Sequence, residues 1–278
     1  MGIFLIFVSA IFAVTQSVLC KISSSGGRVA RAMSFNLFKS LGSFILFALI
    51  CIWNFKWHMP TVIYGIIYGV GILSCNICGY IALAKGPMAL TSLITTYNVV
   101  IPCIYGVAFL NEKVGVAQAI GFVLLIISLF FLRKKDKKMV FKKHWVLFTA
   151  INFLGNGINS VVLKTHQTMF PGQFRMEFMC ISMLVGFVVL LGATIYKKEK
   201  PEPSEMKFSV PAGILTGGTT FISLYLSAKV DATVLFPLTT VFSICINCIS
   251  SKVIFKDRFT VEQIIGIILG VISVILIK

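Results

Sequence analysis

The chain has 278 residues, of which 58% are hydrophobic and only 12% are charged, with a mean hydropathy of +0.96. Water-soluble domains carry about 25% charged residues, so this composition excludes a soluble domain and indicates a chain embedded in a lipid bilayer. The net charge of +16 does not indicate nucleic-acid binding, because the basic residues lie mainly in short segments between apolar runs, where they meet lipid headgroups.

Ten apolar segments are each long enough to cross a hydrocarbon core of about 30 Å as a helix. In chain order they are residues 3–21, 33–53, 60–83, 88–110, 114–132, 145–164, 173–196, 208–228, 232–254 and 259–278. The first lacks a preceding basic region and nine similar segments follow it, which favours a membrane span over a cleavable signal. Since a backbone in lipid must satisfy its own hydrogen bonds, we predict an all-α integral membrane protein with ten transmembrane helices.

Polar residues at the ends of these spans occur twice in the same order, at a nearly constant offset. The matched features are Lys21 with Lys164, Ala84-Lys85 with Ala228-Lys229, Glu112-Lys113 with Asp257-Arg258, and a Val-x-Gln-x-Ile-Gly motif at 116–121 with that at 261–266. A basic stretch near residues 133–143 separates the halves, which gives predicted domains at residues 1–138 and 139–278. Because each half has an odd number of spans, the halves form two inverted five-helix repeats, an arrangement typical of secondary transporters.

The third span of each half also contains a pair of glycines four residues apart. These are Gly65 and Gly69 in the first half and Gly213 and Gly217 in the second. Small residues at this spacing predict that the third span approaches a neighbouring helix closely.

The repeated polar residues at the span ends resemble those of the EamA-type transporters of the drug/metabolite transporter superfamily. The resemblance rests on the lysine that closes each first span, the Ala-Lys turns, and Asn111-Glu112-Lys113 before the Gln-x-x-Gly final helix. It covers essentially the whole chain in both halves. It implies ten helices, a central cavity lined by the first four helices of each repeat, and peripheral fifth and tenth helices.

Uncharged polar residues inside the spans are the candidates for lining such a cavity, since Asn and Gln are costly in lipid and normally face protein or water. The predicted lining residues, together with Lys39, are Gln16, Asn36, Asn76, Tyr97, Asn98, Asn156, Asn159, Thr239 and Asn247. The adjacent threonines Thr219-Thr220 and Thr240 belong to the same set. Any one of them can equally serve as a hydrogen bond between helices.

Three charged residues have a more specific interpretation. Glu177 lies about one turn into the seventh span, two residues from Arg175, and is either a coupling group or part of an interfacial pair with Arg175. Lys39 lies well within the second span and either faces a cavity or extends to the headgroups. If it faces inward, it favours a substrate that carries a carboxylate or phosphate.

Catalytic and metal chemistry are not expected from this sequence. No nucleophile–base arrangement or phosphate-binding loop is visible, and Cys75, Cys78, Cys245 and Cys248 lie in spans without His or acidic neighbours. We therefore predict that the chain is not an enzyme and has no cofactor and no metal site. The expected partners are a small-molecule substrate and the lipid bilayer, but no nucleic acid, and the chain is expected as a monomer or homodimer.

The distribution of basic residues predicts the orientation. Eighteen Lys and Arg residues fall on the face opposite the N-terminus and six on the N-terminal face. The positive-inside rule then places the central linker in the cytoplasm and both termini outside, whereas the family resemblance implies the reverse. We favour the charge count, because the loops are short.

The leading functional prediction is a secondary active transporter in the plasma or inner membrane. It is expected to move a small polar metabolite or an amino acid by alternating access between the two halves. Two alternatives are open: a non-transporting membrane scaffold or assembly protein, and a transporter of an anionic phosphate or nucleotide-sugar compound. The latter is suggested by Lys39 and the pair Lys21 and Lys164.

Overall fold

The computed structural model of the chain describes residues 2–24, 29–51, 55–85, 94–95, 97–132, 143–196, 203, 206–254 and 261–277. These residues form ten α-helices. They are α1 (Gly2–Ser24), α2 (Val29–Cys51), α3 (Met59–Lys85), α4 (Val100–Phe109), α5 (Val116–Leu132), α6 (Lys143–Met169), α7 (Arg175–Tyr196), α8 (Met206–Ser227), α9 (Ala232–Ile254) and α10 (Val261–Ile277). Each predicted span overlaps one helix, and the all-α fold is confirmed. Of the fourth predicted span, the structure describes mainly a 3-10 turn at Tyr97–Val99 and helix α4.

The surface of the bundle is that of a membrane protein. Five helices (α1, α2, α3, α6 and α7) each contain a stretch long and apolar enough to cross a bilayer. Many large apolar side chains point outward, among them Val116, which is 80% exposed, and Ile275, which is 69% exposed. Exposed apolar surface on this scale is unfavourable in water and is covered by lipid in a membrane.

The two halves of the chain interleave. Helix α1 packs against α8 and α9, and its counterpart α6 packs against α3 and α4. In the same way α2 contacts α7 and α8, while α7 contacts α2 and α3. Exchanging the halves therefore reproduces the same set of interfaces, as two inverted five-helix repeats require. Helices α5 and α10 pack mainly on each other at the periphery, as the family resemblance implies.

The paired glycines of the third spans lie at two of these equivalent interfaces. A Cβ atom added to Gly69 would stand 2.6 Å from the carbonyl oxygen of Ser182 in α7. A Cβ atom added to Gly213 would collide with the carbonyl group of Lys39 in α2. Both contacts are with backbone, so α3 lies on α7, and α8 on α2, at a separation that only glycine allows.

The repeated glutamine of the final helices has a structural role in the first half. The Oε1 atom of Gln118 accepts a hydrogen bond of 3.1 Å from the amide of Gly115, just before α5 begins. This is the backward bond of a capping box, which satisfies an amide that the helix leaves free. Gln118 therefore fixes the start of a peripheral helix. The side chain of its counterpart, Gln263, lies outside the described residues.

Candidate functional site

A polar cavity of about 240 Å³ lies in the middle of the bundle, between the two halves. Helix α3, the turn before α4 and α4 itself line it from the first half, and α6, α8 and α9 line it from the second. Its lining residues are Tyr68, Ile72, Asn98, Val99, Pro102, Asn156, Asn159, Ser160, Leu163, Thr219, Thr220, Ser223, Phe236, Thr239 and Thr240. Interfaces between inverted repeats are where secondary transporters bind their substrates.

Seven of the residues predicted from the sequence line this cavity: Asn98, Asn156, Asn159, Thr219, Thr220, Thr239 and Thr240. They come from both halves of the chain and from three helices and one turn. The structure brings them together around one space, although their contact with a substrate stays a prediction.

Two more of the predicted residues, Lys39 and Asn76, line a separate and much smaller cavity of about 20 Å³. It lies between α2, α3, α7 and α8, and Ile72 borders both cavities. A space of this size holds about one water molecule. Lys39 therefore faces inward, but it faces a space too small for an organic anion.

The other predicted lining residues lie elsewhere. Gln16 accepts a hydrogen bond from Thr216 at the interface of α1 and α8, and Asn36 is buried in α2. The hydroxyl of Tyr97 lies 3.5 Å from the carbonyl oxygen of Ile126 in α5. In the described part of the chain, none of these three residues lines the central cavity. The side chain of Asn247 lies outside the described residues.

Tyr68, Ser160 and Ser223 also line the cavity but were not singled out from the sequence. Helical periodicity identifies two of them, since Ser160 follows Asn156 by four residues and Ser223 follows Thr219 by four. Tyr68 has no such signal, because it sits among apolar residues of α3.

Five polar residues of the lining donate hydrogen bonds to the protein backbone. The hydroxyls of Ser160, Thr219, Thr220 and Thr239 each donate to the carbonyl oxygen four residues earlier, at 2.8–3.1 Å. The side-chain amide of Asn156 likewise donates to the carbonyl oxygen of Asn152, at 2.8 Å. A hydroxyl oxygen whose hydrogen is used in this way keeps lone pairs, as does the amide oxygen of Asn156, so these oxygens meet the cavity as acceptors.

One end of the bundle is closed by a buried ion pair, here called the Glu112 cluster. Glu112, between α4 and α5, accepts hydrogen bonds from the first two amides of α9, those of Ala232 (2.8 Å) and Thr233 (3.0 Å). Lys164 of α6 lies 3.5 Å from the carboxylate, and its ammonium donates to the carbonyl oxygen of Val230 at 2.7 Å. Both side chains are more than nine-tenths buried. The cluster therefore ties the first half to the second.

The electrostatics of the cluster keep Glu112 ionised. Burial alone would raise the pKa of this carboxyl group. The amides of Thr233 and Ala232 and the charge of Lys164 outweigh that effect, so the pKa of Glu112 lies below its ordinary value of 4.5. The carboxylate also sits at the positive N-terminal end of α9, where a negative charge is favourable.

The Glu112 cluster lies directly beyond the central cavity. Leu163, which lines the cavity, precedes Lys164 in α6, and Phe236, another lining residue, lies one turn from Ala232 in α9. The cluster therefore separates the cavity from this end of the bundle. The equivalent Asp257 and the side chain of Lys21 lie outside the described residues.

A second polar network closes the same end between α3, α6 and α7. The hydroxyl of Thr61 lies 2.9 Å from Nδ1 of His58 and 3.1 Å from Nε2 of His166, which is fully buried. The ring of His58 stacks on Phe174 at a centroid distance of 4.2 Å. Phe174 has a φ of 51°, which is the left-handed region, in the turn before α7.

The predicted coupling residues Glu177 and Arg175 do not pair with each other. Glu177 is buried and accepts a hydrogen bond of 3.2 Å from the amide of Lys56. Arg175 donates to Gln167 at 2.9 Å and lies 4.8 Å from the ring centre of Tyr225. Both residues thus join loops at the same end as the Glu112 cluster, away from the cavity lining. Their role in coupling stays a prediction.

Metal-binding geometry is not found in the described part of the chain. There, no group of three or more His, Cys, Asp or Glu side chains is arranged to hold a metal ion.

Comparison with known proteins gives one family and one fold. The chain matches the EamA-like transporter family over residues 1–134 and again over residues 143–278. No curated protein matches the chain. A solved structure titled "Crystal structure of protein" is similar to 99% of this chain and 95% of its own length, with a TM-score of 0.77 and 14% sequence identity. At that identity the likeness concerns the fold alone.

Proposed function

Because the chain belongs to the EamA-like transporter family, we propose that it is a secondary active transporter of a small polar metabolite in the plasma membrane. It moves its substrate by alternating access, in which the two inverted halves rearrange around a central site and open it to one face at a time. The proposal describes transport without chemical change of the substrate.

The observation that carries this proposal is a polar cavity between the halves with a sealed end. Lining residues from both repeats surround a space of about 240 Å³, and the Glu112 cluster joins the repeats directly beyond it. A cavity shared by the halves changes its openings when the halves move relative to each other. The ion pair and its amide hydrogen bonds are contacts that such a movement would break and reform.

The contacts of the lysines favour this function over transport of an anionic phosphate or nucleotide-sugar compound. Lys39 faces a cavity of about 20 Å³, and Lys164 is already bound to Glu112 and to the carbonyl oxygen of Val230. Neither ammonium group is among the lining of the larger cavity. A small polar metabolite without a phosphate group fits this lining better than a phosphate ester does.

A labelling experiment distinguishes a transporter from a membrane scaffold. In a variant without native cysteines, Asn98→Cys places a thiol on the cavity wall, and Lys113→Cys places a matched thiol on the exposed loop beside Glu112. We expect pooled small-metabolite fractions to slow maleimide labelling at position 98 but not at position 113. If no fraction changes either rate, and position 98 is unreactive from both sides of the membrane, the protein is a scaffold.

A further inference from the structure

The lining of the central cavity restricts the chemical class of its ligand. We propose that this cavity binds an uncharged solute rich in hydrogen-bond donors, of the polyol or monosaccharide class. The proposal rests on the transport function above and narrows it, because it selects non-ionic solutes over amino acids, amines and anions.

The charge of the cavity lining favours an uncharged ligand. Among the described residues that surround the cavity, none is ionisable near neutral pH. An ammonium or carboxylate group moved from water into such a space loses its hydration and gains no opposite charge, which is strongly unfavourable. A zwitterionic amino acid carries both groups and meets both penalties.

The direction of the hydrogen bonds in the cavity lining favours a ligand that brings donors. Ser160, Thr219, Thr220 and Thr239 have committed their hydroxyl hydrogens to helix carbonyls, and the Asn156 amide donates to Asn152. The oxygen atoms of these five side chains keep lone pairs as acceptors, while the amide of Asn98 and the hydroxyls of Ser223 and Thr240 also line the cavity and can donate. A carboxylate or phosphate brings acceptors alone and leaves the five acceptor oxygens without a donor. A polyol brings one donor with every hydroxyl group and satisfies this lining.

The size of the cavity and the placement of its lining groups favour a compact solute. The cavity volume of about 240 Å³ lies below the range of roughly 300–1,000 Å³ typical of sites for drug-sized ligands. The acceptors come from α6, α8 and α9, while apolar surface comes from both halves, through Ile72 and Pro102 in the first and Leu163 and Phe236 in the second. A compact solute that carries both hydroxyl and C–H groups fits this mixed lining.

A matched series of hexoses tests the charge argument. D-Glucose is neutral, D-glucosamine carries an ammonium group and D-glucuronate a carboxylate, on one ring skeleton. The purified protein is heated with each compound, with linear polyols from four to seven carbons, with the other neutral aldohexoses and aldopentoses, and with serine and glutamine. We expect stabilisation by at least one neutral polyol or sugar and a smaller effect of every charged or zwitterionic compound.

Isosteric variants test whether the acceptors named above hold the ligand. Thr220→Val and Thr239→Val each remove one acceptor from the cavity and should weaken binding of the stabilising solute about two- to tenfold. Thr194→Val is the matched control, because the hydroxyl of Thr194 donates to Leu190 in the same way but is buried in α7 away from the cavity. It should leave the affinity unchanged.

The outcomes separate this inference from the transport function. Strongest binding by glucosamine, glucuronate or an amino acid, or no stabilisation by any neutral polyol or sugar, overturns the inferred ligand class. Equal losses of affinity in Thr194→Val and in the cavity variants overturn the assigned site. If a neutral solute binds as expected but shows no counterflow in proteoliposomes, the ligand class stands and the transport function fails.

Discussion

Glu112 joins three other parts of the chain, two through its carboxylate and one through its backbone amide. It caps α9, it pairs with Lys164 of α6, and its own backbone amide donates to the carbonyl oxygen of Gly106 in α4 at 3.1 Å. A Cβ atom on Gly106 would collide with this carboxylate, so the glycine provides the space it occupies. A buried carboxylate with this many partners is stable as an anion only while all of them are present.

Removing one charge of this pair should destabilise the protein more than removing both. Glu112→Gln leaves the buried ammonium of Lys164 without its counter-charge, which we expect to cost about 3–5 kcal/mol in the free energy of unfolding. Lys164→Met leaves the carboxylate unpaired and should have a similar effect. The double variant should recover most of that loss, because neutral groups replace the whole pair. Thermal unfolding of the detergent-solubilised protein measures all four forms.

Lys229 provides a control for this cycle, since it is exposed in the same loop region and its ammonium contacts the partly buried ring of Tyr225. Lys229→Met should change the unfolding free energy by less than about 1 kcal/mol. Additive losses in the Glu112 and Lys164 variants would contradict a coupled ion pair.

The lowered pKa of Glu112 predicts a dependence of stability on pH. A carboxyl group whose pKa is lower in the folded state stabilises the fold above its unfolded pKa, and this contribution is lost as pH falls through the folded pKa. For Glu112 the loss therefore begins near pH 4.5 and continues below it. The melting temperature of the wild-type protein should fall more steeply below pH 4.5 than that of Glu112→Gln. Parallel curves for the two proteins would argue against this assignment.

At the scale of helices, the glycine pairs decide how closely the repeats approach. Gly69 packs on the backbone of Ser182 and Gly65 on the side chain of Ile181, while in the other half Gly217 packs on the ring of Phe47. These contacts hold α3 against α7 and α8 against α2.

Alanine substitution at Gly69 should separate α3 from α7. The new Cβ atom would stand 2.6 Å from a backbone oxygen, and the shift required should cost about 1–3 kcal/mol of stability. Gly192 in α7 is the matched control, because nothing lies within 4 Å of its Cβ position. There, alanine should stabilise the helix by about 0.5–1 kcal/mol. Melting temperatures that fall equally in both variants would exclude close packing as the cause.

The sequence predicted the helices better than it predicted the site. Apolar length identifies a membrane helix directly, so each of the ten spans overlaps a helix. The glycine pairs also indicated close contacts, although the sequence does not say which helix each pair meets. Cavity lining depends on how the helices are rotated, and polarity alone did not separate Asn159, on the cavity wall, from Gln16, which bonds to Thr216 between α1 and α8.

The pairing of Glu112 with Lys164 is a second feature that the sequence alone did not predict. Glu112 and Lys164 both belong to the repeated polar residues at the ends of spans, and their recurrence indicated a role. Their contact joins residues 52 positions apart in different halves of the chain, and such a contact follows from how the helices assemble. The repeated pattern singled out Glu112 and Lys164 in the sequence, but only the packing of the helices shows that they pair with each other.

At the scale of the whole molecule, the symmetry of the contacts gives each half the same neighbours. An inverted pair of this kind can in principle adopt two arrangements of similar energy, with the cavity open to opposite faces. The Glu112 cluster stabilises the arrangement in which its own end is closed. Weakening the cluster should therefore shift the population toward the arrangement that is open at that end.

Accessibility of the cavity from the two sides of the membrane tests this account most directly. Ser160→Cys, in a protein without native cysteines, places a nearly isosteric thiol on the cavity wall, and an impermeant maleimide is applied to either side of oriented vesicles. We expect labelling from both sides, and Glu112→Gln should raise the rate from the Glu112 side at least about tenfold while lowering the rate from the opposite side. Labelling from one side only, or rates that rise together on both sides, would contradict alternating access.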